Sequence, residues 1–309
     1  MNRISYLTPS EVACLSRSQR AERVAELVQQ ANRILSNAIS QHVLVDGRAL
    51  AATVLLFSGG NDSTVLAHLM RSRATHAAHA NTTIGIEATR EFVRQNCREW
   101  DLPLLEFMAP REVDRYEALV LDQGIPGLGH HFKMYQRLKE RALEEVRRQL
   151  VSDPRSQRVV FLAGRRRSES ARRVAVPAAE RRGSTVWVAP LVNWTKLDLN
   201  TYRLMNDDVP VNQVTDLIHM SGECLCGSFA SPGEREELES WFPEFGQEIA
   251  RLERAIADRT DIPAHRRRWG WGATVREAKL QETPSAVGQL CTSCDERSTA
   301  VTDPSTMPA

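Results

Sequence analysis

The stretch that most constrains this chain is Ser58-Gly59-Gly60-Asn61-Asp62-Ser63-Thr64, set between Val54-Leu55-Leu56-Phe57 and Val65-Leu66-Ala67-His68-Leu69-Met70. The first apolar run reads as a buried strand, and the second has the spacing of a helix packed on a sheet. Two adjacent glycines let the chain bend sharply between them. Several backbone N–H groups can then face one anion, with the positive end of the helix behind them. Ser58, Ser63 and Thr64 add hydroxyl donors. The plainer alternative is a strand-turn-helix connection with polar filler. The order of strand, double glycine, acid and hydroxyls favours a phosphate cradle.

The commoner cradles are absent: the chain has neither G-x-x-x-x-G-K-[ST] nor the dinucleotide fingerprint G-x-G-x-x-G. S-G-G-N-D-S-T resembles instead the pyrophosphate loop of the adenine-nucleotide alpha-hydrolase superfamily. That resemblance implies a grip on the β- and γ-phosphates that leaves the α-phosphorus open to attack.

With 309 residues, 42% of them hydrophobic and 26% charged, the chain can hold one large domain or a core with an appendage. No stretch is apolar enough to cross a membrane, and Met1-Asn2-Arg3-Ile4-Ser5-Tyr6 lacks the core of a secretory signal. A cytoplasmic protein without a membrane partner is expected. Six cysteines in such a compartment argue for metal binding or catalysis over disulfides. The net charge of +1 says little, but arginine clusters at 165–167, 172–173, 181–182 and 266–268 suit polyanions. Those polyanions are either a nucleotide's phosphates or a nucleic acid backbone. For the last two clusters a solvated face is the favoured reading.

Thr8-Pro9-Ser10-Glu11 reads as a capping box opening N-terminal helices. Strands are expected at 54–57, 76–82, 102–107, 159–163 and 186–190, and helices at 88–100, 134–150 and around 234–257. Strands alternating with helices imply an α/β fold with a doubly wound, mainly parallel, Rossmann-like sheet. Ligands in such sheets sit at the carboxyl ends of strands. From about Asn212 the texture changes to a cysteine-bearing lobe.

Two further loops stand at strand ends. Gly164-Arg165-Arg166-Arg167-Ser168-Glu169-Ser170-Ala171-Arg172-Arg173 presents guanidinium groups that suit bidentate phosphate or sulfate binding, with a solvated basic turn as the alternative. Asn81-Thr82-Thr83-Ile84-Gly85-Ile86-Glu87-Ala88-Thr89-Arg90-Glu91 is, taken alone, a loop and a helix cap. Together, S-G-G-x-D-S, N-T-x-x-G-I-E-x-T-R-E and G-x-R-x-x-E-S-x-R occur in the order that resembles the phosphoadenosine phosphosulfate (PAPS) reductase family. That family includes adenylyl-sulfate reductase and DNA-phosphorothioation branches, and the resemblance runs from about residue 50 to 295.

The resemblance implies roles. Ser58, Gly59, Gly60, Asp62, Ser63 and Thr64 would hold phosphates, with Asp62 helping to place Mg²⁺ where ATP is the substrate. Thr82 and Glu87 would lie beside the nucleotide. Gly164, Arg165, Arg166, Ser170 and Arg172 would clamp the phosphate or sulfate end, and Lys139 would stand near the substrate. Asp62, Arg165 and Arg172 would be the catalytic set. The expected division is an N-terminal helical segment (1–48), a nucleotide-binding domain (49–211), a four-cysteine lobe (212–297) and a disordered tail (298–309).

Cys224-Leu225-Cys226 and Cys291-Thr292-Ser293-Cys294 are two close pairs that can converge on one tetrahedral site. Four thiolates suit Zn²⁺ or an iron–sulfur cluster, and unligated thiols are the third reading. Adenylyl-sulfate reductases hold a [4Fe–4S] cluster through an adjacent cysteine pair and a later C-x-x-C. The C-x-C here departs from that pattern. So does the lack of any cysteine after Cys294, where the family's reductases carry a nucleophilic thiol. The expected reaction is therefore attack on the α-phosphorus of ATP coupled to sulfur transfer, with nucleic acid thio-modification as the outcome the phosphorothioation branch implies. The rivals are sulfite formation from PAPS or adenylyl sulfate, using a thiol from a thioredoxin-like partner, and a catalytically silent nucleotide-binding protein.

Overall fold

The computed structural model describes residues 7–273, apart from the side chain of Arg172. Two helices come first, α1 (Pro9–Ala13) and α2 (Arg17–His42). The Thr8 capping box forms: Glu11 N–H donates to the Thr8 hydroxyl at 3.3 Å, and Thr8 N–H donates to the Glu11 carboxylate at 2.6 Å. Ser16 and Gln19 repeat the device on α2. The stripe Val24, Leu27, Ala31 and Leu35 at helical spacing buries α2 against the sheet core.

Six strands follow: β1 (Ala49–Leu56), β2 (His76–Ala80), β3 (Leu104–Phe107), β4 (Gln157–Leu162), β5 (Ala179–Arg182) and β6 (Thr185–Val188). Their order is β3-β2-β1-β4-β6-β5, and every pair is parallel except β5–β6. The connecting helices are α3 (Asn61–Met70), α4 (Glu87–Glu99), α5 (Tyr116–Gln123), α6 (His131–Tyr135), α7 (Arg141–Leu150) and α8 (Lys196–Met205). Beyond the sheet come α9 (Gln213–Ile218), α10 (Glu234–Trp241) and α11 (Pro243–Ile256).

The end of β1 shows why 54–57 is an unbroken apolar run. Leu55 pairs with Phe57 on one face, among α2, α3, α4 and α8. Val54 and Ala52 face the other way, onto Leu143 and Val146 of α7. Both faces are covered, so positions 54–57 do not alternate to polar, and the one polar residue of the strand, Thr53, is itself buried. A third cluster gathers α5, α9, α10 and α11 around Trp269.

Three expectations are refined. The helix expected at 134–150 begins at His131 and contains a π turn, Gln136–Glu140, between α6 and α7. Arg137 and Arg141 both reach the fully buried carboxylate of Asp114 across that turn. The helical stretch at 234–257 is two helices, because Pro243 has no N–H to continue the first and instead opens the second. β5 was not expected. It folds back on β6 through Gly183 at φ +61° and sets charged Glu180, Arg181 and Arg182 along the sheet edge, where they discourage further pairing. Among the described residues, no helix is long and apolar enough to cross a membrane.

The order of successive strands reverses at β1, with β2 on one side and β4 on the other. A crevice at the carboxyl ends of these strands follows from that topology.

Candidate functional site

The loop from β1 to α3 lies at that crevice. Gly59 has φ +78°, and a Cβ there would fall 2.7 Å from Thr89 Cγ2, so both conformation and space require glycine. Its carbonyl accepts from Asn212 Nδ2 at 2.9 Å. Gly60 is the N-cap of α3 and brings no side-chain cap, which leaves the first-turn N–H groups to an anion. The hydroxyls of Ser63 and Thr64 each donate to the Gly60 carbonyl at 2.9 Å. Ser63 Oγ also lies 3.1 Å from Ser58 Oγ. These side chains brace the cradle. Gly164, at the end of β4, packs so close that a Cβ would sit 3.2 Å from the Asp62 carbonyl oxygen.

The loop forms one wall of a cleft of about 370 Å³. Leu56, Ala78, Ala80 and Leu143 give it an apolar side, as a flat aromatic base requires, and Tyr135 stands beside them. Lys139, Arg165, Arg166, Arg173 and Lys196 bring positive charge. Tyr135, Lys139 and Leu143 come from the helical rod that contains the π turn. Arg165 lies over the Trp187 ring, 5.0 Å from its centroid, with Glu180 at 3.7 Å. Burial lowers the Lys139 ammonium, but the nearby Cys224 and Glu223 charges outweigh it and hold the lysine above its ordinary range. Burial raises the Glu169 carboxyl, against the pull of Arg173.

The residues expected at the site divide. Ser58, Gly60, Asp62, Ser63, Lys139, Gly164, Arg165 and Arg166 line the cleft. Gly59 and Thr64 support the loop from behind. Asp62 and Arg166 are joined as a fork, Nε to Oδ2 at 2.6 Å and Nη2 to Oδ1 at 3.3 Å. Ser170 lies between two short 3-10 turns, and the backbone of Arg172 belongs to the second, Ala171–Arg173. Glu87 turns away: it opens α4, is 64% exposed and pairs with Arg90 and Arg94. Thr82 is fully buried and acts indirectly, its N–H donating to Glu223 Oε1 at 2.8 Å and its hydroxyl to the Glu223 carbonyl.

Glu223 itself lines the cleft and was read from sequence only as a neighbour of Cys224. Its carboxylate lies 3.0 Å from His79 Nε2, while His79 Nδ1 lies 2.7 Å from the Phe57 carbonyl. Burial raises the Glu223 carboxyl, but His79, Arg90 and Thr82 overcome this and hold it below the usual range. Trp187, Lys196 and His219 are further cleft residues that the motifs did not single out, and Arg173 brings the end of the expected basic loop into the cleft. One signal was available: Thr195-x-x-Asp198 is a capping box, which places Lys196 at the first position of α8. His219 holds a left-handed backbone, φ +57°, at the end of α9.

Comparison with protein families matches residues 52–219 to the phosphoadenosine phosphosulfate reductase domain, over half the chain. The chain belongs to the PAPS reductase family. Comparison with curated proteins gives no match. Similar solved structures include the phosphate complex of phosphoadenylyl-sulfate (PAPS) reductase from Candida auris, with 19% identity and TM-score 0.41, covering 69% of this chain and 93% of that one. Candida glabrata FMN adenylyltransferase in complex with ATP is similar at 11% identity and TM-score 0.45, over 67% of this chain and 64% of that one. NMN synthetase from Francisella tularensis is similar at 16% identity and TM-score 0.39, over 76% and 96%.

Two metals were expected of this PAPS reductase-family chain. For the cysteine site, Cys224 and Cys226 stand two residues apart, with Cys226 Sγ 3.3 Å from Ser228 Oγ, and two thiols at this spacing suit two of four ligands. The fixed C-x-C turn is held by Trp269, whose Nε1 donates to the Leu225 carbonyl at 2.9 Å. Cys291 and Cys294 lie outside the described residues, and among those residues no group of three His, Cys, Asp or Glu side chains is placed to hold a metal. For Mg²⁺, the expected role of Asp62 meets a buried guanidinium, because the carboxylate is forked by Arg166, which is 2% exposed, and an ion there would stand against that charge.

Proposed function

We propose that the cleft binds an adenine nucleotide by its anionic tail and that this PAPS reductase-family protein acts at the α-phosphorus, in a reaction coupled to sulfur transfer. The observation that carries this reading is the uncapped start of α3, reached through Gly59 and Gly60 at the point where strand order reverses, facing five basic side chains. The pyrophosphate would rest on the loop amides, and the base would lie along Ala78, Ala80 and Leu143.

An acceptor oxygen then forms a bond to the α-phosphorus as the bond to pyrophosphate breaks. The electron pair leaves with pyrophosphate, and the acceptor's proton passes to solvent. Loop N–H groups, Lys139 and Arg165 stabilise the charge as it moves, and they are held in place beforehand by the contacts described above. Hydrosulfide afterwards attacks the adenylated acceptor, its bond to sulfur forming as the bond to AMP breaks and the electron pair leaves on AMP, which on a nucleic acid gives thio-modification.

A second reading is sulfite formation from PAPS or adenylyl sulfate with a thiol from a thioredoxin-like partner. It is favoured by the match of residues 52–219 to the phosphoadenosine phosphosulfate reductase domain. Incubation with radiolabelled ATP and with PAPS separately distinguishes them. Pyrophosphate and AMP from ATP support the first, and sulfite from PAPS supports the second. Tight binding without product contradicts both and leaves a silent binding protein.

A further inference from the structure

Three carboxylates line the cleft, and each is already held by a cation of the chain. Glu169 pairs with Arg173. Glu223 lies 3.0 Å from His79 and 3.4 Å from Arg90. Asp62, the only one in the glycine loop, takes the Arg166 fork. Arg166 is the least exposed of the arginines among these partners. It is 2% exposed, and its remaining nitrogen donates to Ser168 Oγ at 3.2 Å. Ser168 in turn donates to the Trp194 carbonyl at 2.8 Å. Trp194 is fully buried, so this anchor is part of the core.

A divalent ion seated on Asp62 would stand against a guanidinium that cannot withdraw. Like charges at such a distance repel strongly once water is partly excluded. Metal-dependent phosphate sites work differently, with a carboxylate left open toward the ion. The usual way of delivering a triphosphate, as its magnesium complex, therefore meets a site whose acidic ligand is taken.

We propose that Arg166 permanently occupies the place of a divalent cation at Asp62, so that this cleft takes the metal-free anion of an adenine nucleotide. The proposal rests on the reading of the cleft as a nucleotide site. It narrows the substrate class to sulfonucleotides and uncomplexed triphosphates, whose charge is met by Lys139, Arg165 and Lys196.

Titration calorimetry on the full chain tests this with adenosine 5′-phosphosulfate and ATP, each in EDTA and in excess MgCl2. The expected result is binding in EDTA, with Mg²⁺ changing the phosphosulfate Kd by less than about twofold and weakening ATP by about tenfold. Binding that appears only with Mg²⁺, or tightens about tenfold with it, overturns the proposal alone. Failure of both nucleotides to bind in either buffer overturns the nucleotide reading and this proposal with it. Mn²⁺ titration followed by electron paramagnetic resonance, without nucleotide, gives a second readout. Wild type is expected to leave Mn²⁺ free, whereas Arg166→Met, which releases Asp62, retains it. Tight Mn²⁺ at Asp62 in wild type, lost in Asp62→Asn, refutes the idea even if the Arg166 variant does not fold.

Discussion

Gly59→Ala puts the loop geometry to a quantitative test. The backbone φ of +78° suits glycine and costs an alanine about 1–2 kcal/mol. The new Cβ would also fall 2.7 Å from Thr89 Cγ2 and 3.3 Å from Asn212 Nδ2. Thr89 has nowhere to turn: it is fully buried and its hydroxyl donates to the Ser221 carbonyl at 2.7 Å. Overpacking of this kind adds about 1–3 kcal/mol, for a total of roughly 2–5 kcal/mol. Gly183→Ala is the control, because φ is +61° and nothing lies within 4 Å of the added atom. It should lose only the backbone part, about 1–2 kcal/mol. Urea unfolding of both variants, followed by circular dichroism, measures the difference. Equal losses would show that the close approach of Thr89 to the loop is wrong.

Asp114→Ala removes the anchor shared by Arg137 and Arg141. Because these keep 27% and 30% exposure, the loss should be about 2 kcal/mol, between surface and buried-pair values, and a urea midpoint unchanged from wild type contradicts it. Burial pushes the Cys97 thiol up to about 12, so iodoacetamide on the native protein should label exposed Cys14 and spare Cys97. Mass spectrometry showing equal labelling of the two rejects that burial. The Arg94 fork on Glu106, both bonds 2.8 Å, and then Asn81 hold the Glu106 carboxyl below its ordinary range. A depressed folded-state pKa gives stability that is present above the unfolded value, about 4.3, and lost as pH falls through the folded one. Glu106→Gln should therefore flatten the acid limb of stability as pH falls below about 4.3, and an unchanged slope in urea midpoints argues against it.

Local sequence carried the strand-loop-helix at β1, since an apolar run, two glycines and hydroxyls act within a few residues of one another. The strands β2, β3, β4 and β6 were also readable from apolar runs. β5 was hidden because Ala-Glu-Arg-Arg has neither alternation nor branching, and its pairing comes from the Gly183 turn and the edge position. The motif does not say which face of α4 Glu87 occupies. Its side chain is 64% exposed and pairs with Arg90 and Arg94. The pairs Asp62–Arg166 and His79–Glu223 join residues far apart in the chain, and their residue types equally suit ligand contacts. Only packing decides that these charges meet each other.

Diffraction from crystals grown with adenosine 5′-phosphosulfate tests the central claim most directly. Its anionic tail should lie about 3 Å from the backbone N–H groups of the first turn of α3, with the base along Ala78 and Ala80. A nucleotide bound elsewhere, or with its tail directed away from Gly60 into solvent, would contradict the account.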